Sequence, residues 1–231
     1  MDGNGKAPAP LRKGEARLYL ASVRGLPDPA EDGRLAALLP RSRQEKLLRL
    51  KQDGARRLSL GAGLLLHRAL SDQGLAPGEI ALGPRGKPFF PALTGLCFSL
   101  SHSGETVLCA LSDRELGCDA EVLGRPRREL AARFFHERER RWLSSLPPEE
   151  EQEGFFRLWT LKESYVKATG QGLSRPLNSF AVDMSGPVPL LRDTPDSEAW
   201  QLLSLLEGDC ACALCCARGA SPALCRVESL P

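Results

Sequence analysis

The chain repeats itself, and the repeat limits what it can fold into. Residues 58–70 form an apolar stretch of helical character that ends in Asp72-Gln73-Gly74-Leu75. Residues 155–168 form another, ending in Gly170-Gln171-Gly172-Leu173. Each is followed by a proline-containing turn and a short strand, Glu79-Ile80-Ala81-Leu82 in the first case and Ser179-Phe180-Ala181-Val182 in the second. Val107-Leu108-Cys109-Ala110-Leu111 then matches Cys210-Ala211-Cys212-Ala213-Leu214, and Cys118-Asp119-Ala120-Glu121 matches Cys225-Arg226-Val227-Glu228. The offset between copies grows along the chain, as loop insertions make it grow, and the four matches keep their order. The expected fold class is therefore α+β, with two similar halves that each carry a long helix and a small antiparallel sheet. The halves are placed at 1–123 and 124–231, joined near Gly124-Arg125-Pro126, with a mobile polar tail over about 1–14.

Local signals fill in the halves. Helices are expected over 43–50, 127–135 and 137–145. Pro147-Pro148-Glu149-Glu150-Glu151 reads as a loop or as the capped start of the long helix, since proline is tolerated in a first turn. Ser103-Gly104-Glu105 and Glu207-Gly208-Asp209 read as hairpin turns. The proline- and aspartate-rich stretch 185–197 reads as a surface loop.

The charge balance of +2 argues against a general nucleic-acid binder, which shows a strong basic excess. No apolar run reaches the length of a membrane span. The first ten residues lack the apolar core of a signal peptide, which points to the cytoplasm. There the eight cysteines are expected as free thiols. Cys210, Cys212, Cys215 and Cys216 admit a zinc reading, but they alternate with apolar residues as a strand does, and buried cysteine behaves as a small hydrophobe.

The chemistry concentrates in two segments. In Trp159-Thr160-Leu161-Lys162-Glu163-Ser164-Tyr165-Val166-Lys167 a helix puts Trp159, Glu163 and Lys167 on one face, one turn apart. In Gly117-Cys118-Asp119-Ala120-Glu121 a strand puts Asp119 and Glu121 on one face and Cys118 and Ala120 on the other. Three carboxylates with lysines suit a magnesium–phosphate site, because Mg²⁺ takes oxygen ligands and binds along with substrate phosphates. Taken singly, Glu163 and Lys167 read equally as a surface i,i+4 pair worth ~0.2–0.5 kcal/mol, and Asp119 and Glu121 as the solvated face of an edge strand. The second copy of the strand has Arg226 where the first has Asp119. The carboxylate triad can thus form only once, between the halves, where ligand pockets commonly lie.

Together these residues resemble the 4′-phosphopantetheinyl transferases, in their larger monomeric form. The resemblance rests on Gly117, Asp119 and Glu121, and on Trp159, Lys162, Glu163, Ser164 and Lys167. It extends to Gly86-Lys87-Pro88 and to Phe98-Ser99-Leu100-Ser101-His102-Ser103, all in family order over 39–182. It implies two halves related by a pseudo-twofold axis, with one active site in the cleft between them. It further implies transfer of the phosphopantetheine arm of coenzyme A to a serine of an apo acyl or peptidyl carrier protein, with release of 3′,5′-ADP.

The resemblance also implies roles. Asp119, Glu121 and Glu163 hold Mg²⁺, Glu163 is the best candidate to accept the serine proton, and Lys167 neutralises charge on the diphosphate, with Lys162 as a weaker candidate. Lys87 falls near the adenine end of coenzyme A, Ser101 and His102 near its phosphates, and Arg43, Lys46 and Arg57, with Arg56 beside it, near the 3′-phosphate. Glu139 falls near the diphosphate, with Glu137 as competitor. Arg125, Arg127 and Arg128 are candidates for docking an acidic carrier. A magnesium-dependent phosphohydrolase and a catalytically inactive carrier-binding module are the alternatives. Neither nucleic acid nor membrane is expected as a partner.

Overall fold

The structure is a computed structural model and describes residues 9–126 and 128–230. In chain order the strands and α-helices are β1 (Glu15–Ser22), α1 (Arg41–Arg49), α2 (Asp53–Ser71), β2 (Ala81–Leu82), β3 (Pro88–Phe89), β4 (Cys97–Ser103), β5 (Thr106–Ser112), β6 (Leu116–Val122), α3 (Arg128–Phe134), α4 (Glu137–Ser145), α5 (Pro148–Thr169), β7 (Ala181–Asp183), β8 (Leu190–Arg192), β9 (Trp200–Glu207), β10 (Cys210–Ala217) and β11 (Ser221–Val227). The class is mixed α+β.

The two larger sheets run β11-β1-β5-β4 and β6-β10-β9. Each hairpin stays with its own segment of chain, but the strand after each hairpin crosses over. β6 leaves β5 and pairs antiparallel with β10, setting Asp119 opposite Ala213. β11 leaves β10 and pairs parallel with β1. Pro222 sits in β11, at a sheet edge, where a missing N–H breaks no ladder. The chain on either side of residue 124 therefore builds each sheet jointly, which a division at that residue does not anticipate.

Three apolar layers follow from this topology. α2 packs Leu65, Leu66 and Ala69 against Tyr19, Phe98 and Val107 of the first sheet. α5 packs Leu158, Leu161 and Tyr165 with Phe180, Ala213 and Cys215. Between the two sheets lie Leu18, Leu20, Leu108, Leu116, Cys118, Cys212 and Leu214. Each fully buried leucine stabilises by ~1.5–3 kcal/mol. Cys210, Cys212, Cys215 and Cys216 are all buried along β10 with free thiols.

Both ends of α5 follow from its sequence. Pro148 opens the helix, Glu149, Glu150 and Glu151 sit in the first turn where the dipole favours negative charge, and Gly170 ends it in the left-handed region at φ 64°. The helices expected over 43–50, 127–135 and 137–145 hold to within two residues, while α2 and α5 both begin several residues before the helical stretches expected at 58–70 and 155–168. The stretch 185–197, expected as a loop, contains β8, and β1 was not anticipated at all. Residues 9–14 do not behave as a tail: Leu11 packs on the first core and Ala9 O accepts a hydrogen bond from Arg17. The rest of the expected tail lies outside the described residues.

Candidate functional site

Gly117 brings the two motifs together. A Cβ there would stand 2.2 Å from Ser164 O and 2.4 Å from Ala168 N, inside the backbone of α5. Without that Cβ, α5 lies directly on β6, and its cleft face meets the carboxylate face of the strand. Cys118 and Ala120 point the other way into the layer between the sheets, as the alternation of a strand requires.

At this junction Lys167 Nζ donates to Asp119 Oδ1 at 2.7 Å, to Ser101 Oγ at 3.1 Å and to Cys118 O at 3.1 Å. Ser101 Oγ donates to Asp119 Oδ1 at 2.8 Å, and Ser103 Oγ to Glu121 Oε2 at 3.1 Å. Asp119 is buried, and its Oδ2 has no hydrogen-bond partner. Burial, and then the charges of Asp119 and Glu121, hold the Glu163 carboxyl above its ordinary pKa, with Lys167 pulling against them. Burial works against the Lys167 ammonium, yet Asp119 and the groups around it hold its pKa above the usual value.

Among the described residues, no three His, Cys, Asp or Glu side chains are drawn up as a metal-binding cluster. The donor set nevertheless fits a hard divalent cation. It is all carboxylate oxygen, Asp119 and Glu121 raise the proton affinity of Glu163, and one buried oxygen is unpaired.

Glu163 and Lys167 form one edge of a cavity of about 1150 Å³. Arg43 and Lys46 of α1 and the Arg85-Gly86-Lys87-Pro88 turn also line it, as do Phe98–Leu100 of β4, Trp159, and the 175–178 segment. Arg43 lies close enough to Lys46 to disfavour its charge: burial, then the Arg43 cation, lowers the Lys46 pKa. The His102 pKa is lowered by burial first and then by Lys46, Lys167 and Arg43. Crowded cations of this kind favour a polyanionic ligand. Lys87 Nζ meanwhile pairs with Glu115 and donates to Leu116 O at 3.2 Å and to Ala168 O at 2.8 Å, at the negative end of α5.

Several residues expected at a ligand lie outside the cleft lining. Lys162 is fully buried away from the cleft, donating to Glu139 Oε1 at 2.6 Å and Phe180 O at 2.9 Å. Glu139 also accepts from Val182 N and, through Oε2, from His136 N in the capping box of α4. Helical spacing places Lys162 on the face next to Glu163, and that face turns into the core. Arg57 pairs with Asp53 one turn back on α2 and does not line the cleft. Its neighbour Arg56 is tied to Asp28 and to the carbonyls of Leu50 and Lys51. Ser101 turns its hydroxyl to Asp119 and Lys167 rather than into the open cleft.

Conversely, Arg85, Arg133 and Arg175 line the cleft without having been singled out. Arg85 stands two positions before Lys87 in the same turn, which is a usable signal. Arg175, held over the Tyr165 ring at 4.6 Å and bonded to Thr194 at 2.6 Å, carries no local one.

A family model described as the 4′-phosphopantetheinyl transferase superfamily matches residues 115–215, the span that holds both motifs. A 4′-phosphopantetheinyl transferase of Bacillus subtilis is 34% identical over 169 residues, covering 72% of this chain and 75% of its own. HetI of Nostoc sp., named as the same type of transferase, is 40% identical over 67% of each chain. Sfp of Bacillus subtilis is 33% identical over 73% of this chain and 77% of its own. With this similarity spanning most of the chain, the chain belongs to the 4′-phosphopantetheinyl transferase family of enzymes.

Proposed function

We propose that the enzyme transfers the 4′-phosphopantetheine arm of coenzyme A to a serine of an apo acyl or peptidyl carrier protein, with Mg²⁺, and releases 3′,5′-ADP. The observation that carries the reading is the junction of α5 and β6. There Glu163, Lys167 and Asp119 meet at the edge of a cation-lined cleft, and Asp119 Oδ2 has no partner.

Asp119, Glu121 and Glu163 would hold Mg²⁺, which when bound neutralises charge on the diphosphate. The carrier serine Oγ attacks the β-phosphorus, the bond from that phosphorus to the bridging oxygen breaks, and 3′,5′-ADP leaves with the electron pair. Glu163, whose carboxyl is more basic than usual, accepts the serine proton directly or through a water. Lys167 keeps its positive charge and offsets the negative charge that builds on the leaving oxygen. Arg43 and Lys46 line the cleft, where a phosphate would offset the crowding that lowers the Lys46 pKa, with His102 beside them, and Lys87 lines the same cleft from its turn. Phosphoryl transfer of this kind depends on positioning and charge rather than on covalent steps.

The finer features of the reading follow the family: a monomer, a cytoplasmic site of action, and halves near 1–123 and 124–231 related by a pseudo-twofold, each lending one strand, β6 or β11, to the sheet of the other. No helix among the described residues is long and apolar enough to cross a membrane. For the carrier, Arg125 and Arg128 are exposed beside the end of β6, Arg128 in a two-pronged pair with Glu151 at 3.0 and 2.9 Å. Arg127 lies outside the described residues.

The test is to incubate the enzyme with coenzyme A, Mg²⁺ and a panel of apo carriers and to weigh each carrier. A mass gain of one phosphopantetheine is expected. Hydrolysis of coenzyme A with no gain on any carrier overturns the reading in favour of a phosphohydrolase. Inertness toward all of them, with the carriers still bound, overturns it in favour of a binding module.

A further inference from the structure

The edges of the two large sheets are joined by side chains instead of by a backbone ladder. β4 carries Ser99, Ser101 and Ser103 on one face, and β6 runs alongside it. The N–H groups of Cys118, Ala120 and Val122 donate to the hydroxyls of Ser99, Ser101 and Ser103 at 3.0, 3.2 and 3.0 Å. These N–H groups point away from β10, and without the serines they would be buried donors with no acceptor.

Each hydroxyl has one proton to give. At Ser101 the partners are Ala120 N–H, the Lys167 ammonium and Asp119 Oδ1. The first two can only donate, so the single proton lies on the bond to Asp119. Ser103 accepts from Val122 N–H in the same way and gives its proton to Glu121 Oε2. Ser99 makes the same backbone bond, but the residue beside that rung is Gly117, which has no side chain. Three rungs thus share one structural bond, and two of them also hold a carboxylate.

We propose that Ser101 and Ser103 are positioning residues for the cation-holding carboxylates, an inference that rests on the metal reading given above. Ser101 and Lys167 fill Oδ1 of Asp119 and leave Oδ2 as its buried, unpartnered oxygen. The two oxygens of Asp119 are sorted by their hydrogen bonds, and the side chain is fixed before a cation arrives. Ser103 restrains Glu121 from the next rung.

The experiment titrates Mn²⁺ into the full chain in the presence of coenzyme A and reads bound metal by electron paramagnetic resonance, with Tm measured alongside. Ser101→Ala and Ser103→Ala are expected to raise the Mn²⁺ Kd by about 10- to 100-fold, the usual cost of removing a partner behind a metal ligand. Ser101→Thr keeps the hydroxyl and is expected to bind like the wild type. Ser112→Ala, in β5 and outside the cleft lining, is expected to lower Tm, because Glu15 O loses its donor, while leaving the Mn²⁺ Kd unchanged. A wild-type Kd in both Ser101→Ala and Ser103→Ala overturns the inference. So does an equal rise in Ser112→Ala, which would make the effect one of sheet packing. If Ser101→Ala does not fold, Ser103→Ala at the half-buried end of the strand decides alone. A wild-type chain that takes up coenzyme A but no Mn²⁺ overturns the metal reading and this inference with it.

Discussion

Lys162 and Lys167 stand on the same helix, each against a carboxylate, and their surroundings differ in kind. Lys162 is fully buried, bonded to Glu139 and Phe180 O, and its Nζ lies 4.1 Å from the centre of the Phe180 ring. Glu139 spends its remaining capacity on two backbone N–H groups. Nothing in that pair is left over. Lys167 is about a third exposed, its partner Asp119 has an oxygen without a bond, and Glu163 one turn before it is pushed toward protonation by burial and its neighbours. A closed set of polar groups in the core builds structure. An incomplete set at the edge of a cleft is arranged for something that arrives.

The comparison breaks first on activity. Asp119→Ala and Glu163→Ala are each expected to cut transfer by more than about 100-fold, because each removes a charge from the transition-state environment, with thermal unfolding near that of the wild type. Near-normal transfer at saturating Mg²⁺ in either variant removes the cleft face of α5 from the chemistry.

On the opposite face the effect should appear in stability. Lys162→Met leaves Glu139 buried without its cation and is expected to cost about 3–5 kcal/mol. Adding Glu139→Gln removes the bare charge and is expected to recover part of that loss in denaturant unfolding. Should Lys162→Met unfold like the wild type but bind coenzyme A poorly, the pair is not structural and the two faces are alike.

Gly117→Ala tests how the faces are held in place. The added methyl meets the α5 backbone rather than a side chain that can turn away. Overpacking of this sort costs about 1–3 kcal/mol, and a shift of about 1 Å in Glu163 and Lys167 is enough to slow transfer by ~100-fold. Unchanged kcat with unchanged Tm would mean that α5 does not depend on the bare strand for its position.

Local signals made the cleft face legible in the sequence. Helical spacing placed Trp159, Glu163 and Lys167 together, and strand alternation separated Asp119 and Glu121 from Cys118 and Ala120. The hairpin turns and the cap at Gly170 are local as well. What escaped depends on distant partners. Nothing near Arg17 or Leu18 says that β1 will lie between β11 and β5, and no pattern in 116–122 announces that β6 will pair with β10. The repeat suggested two self-contained sheets because repeats show which elements match, and strand exchange is silent on that count. Lys162 was misplaced because a fully buried lysine is rare, so a lysine beside a catalytic motif reads as part of it. The alternation Ser99, Ser101, Ser103 was visible, but its meaning waits on the strand it faces.

The smallest effect concerns pH and a third polar set on α5, toward the core. Tyr165 OH and Thr194 Oγ1 both donate to Asp196 Oδ1 at 2.6 Å, and Trp200 Nε1 donates to Oδ2 at 3.0 Å. Burial opposes the charge on Asp196, but these donors outweigh it and hold the carboxyl down at about 2. The unfolded chain, with an ordinary aspartate, binds more protons than the native one between roughly pH 4 and 2. The contribution of Asp196 to stability is therefore present above that window and lost as pH falls through it. Asp196→Asn is expected to cost about 1 kcal/mol at neutral pH, since the amide cannot accept from Trp200 as the second carboxylate oxygen does. It should also flatten the acid limb of the stability curve between pH 4 and 2, modestly, because the side chain is partly open to solvent. Transfer activity at neutral pH should stay near wild type, because Tyr165, Thr194 and Asp196 do not line the cleft and Arg175, which pairs with Asp196 and does line it, keeps its bond to Thr194. If Asp196→Asn instead lowers transfer with no change in acid stability, the third set belongs with the cleft, and the division of α5 into a structural and a chemical face fails at Tyr165.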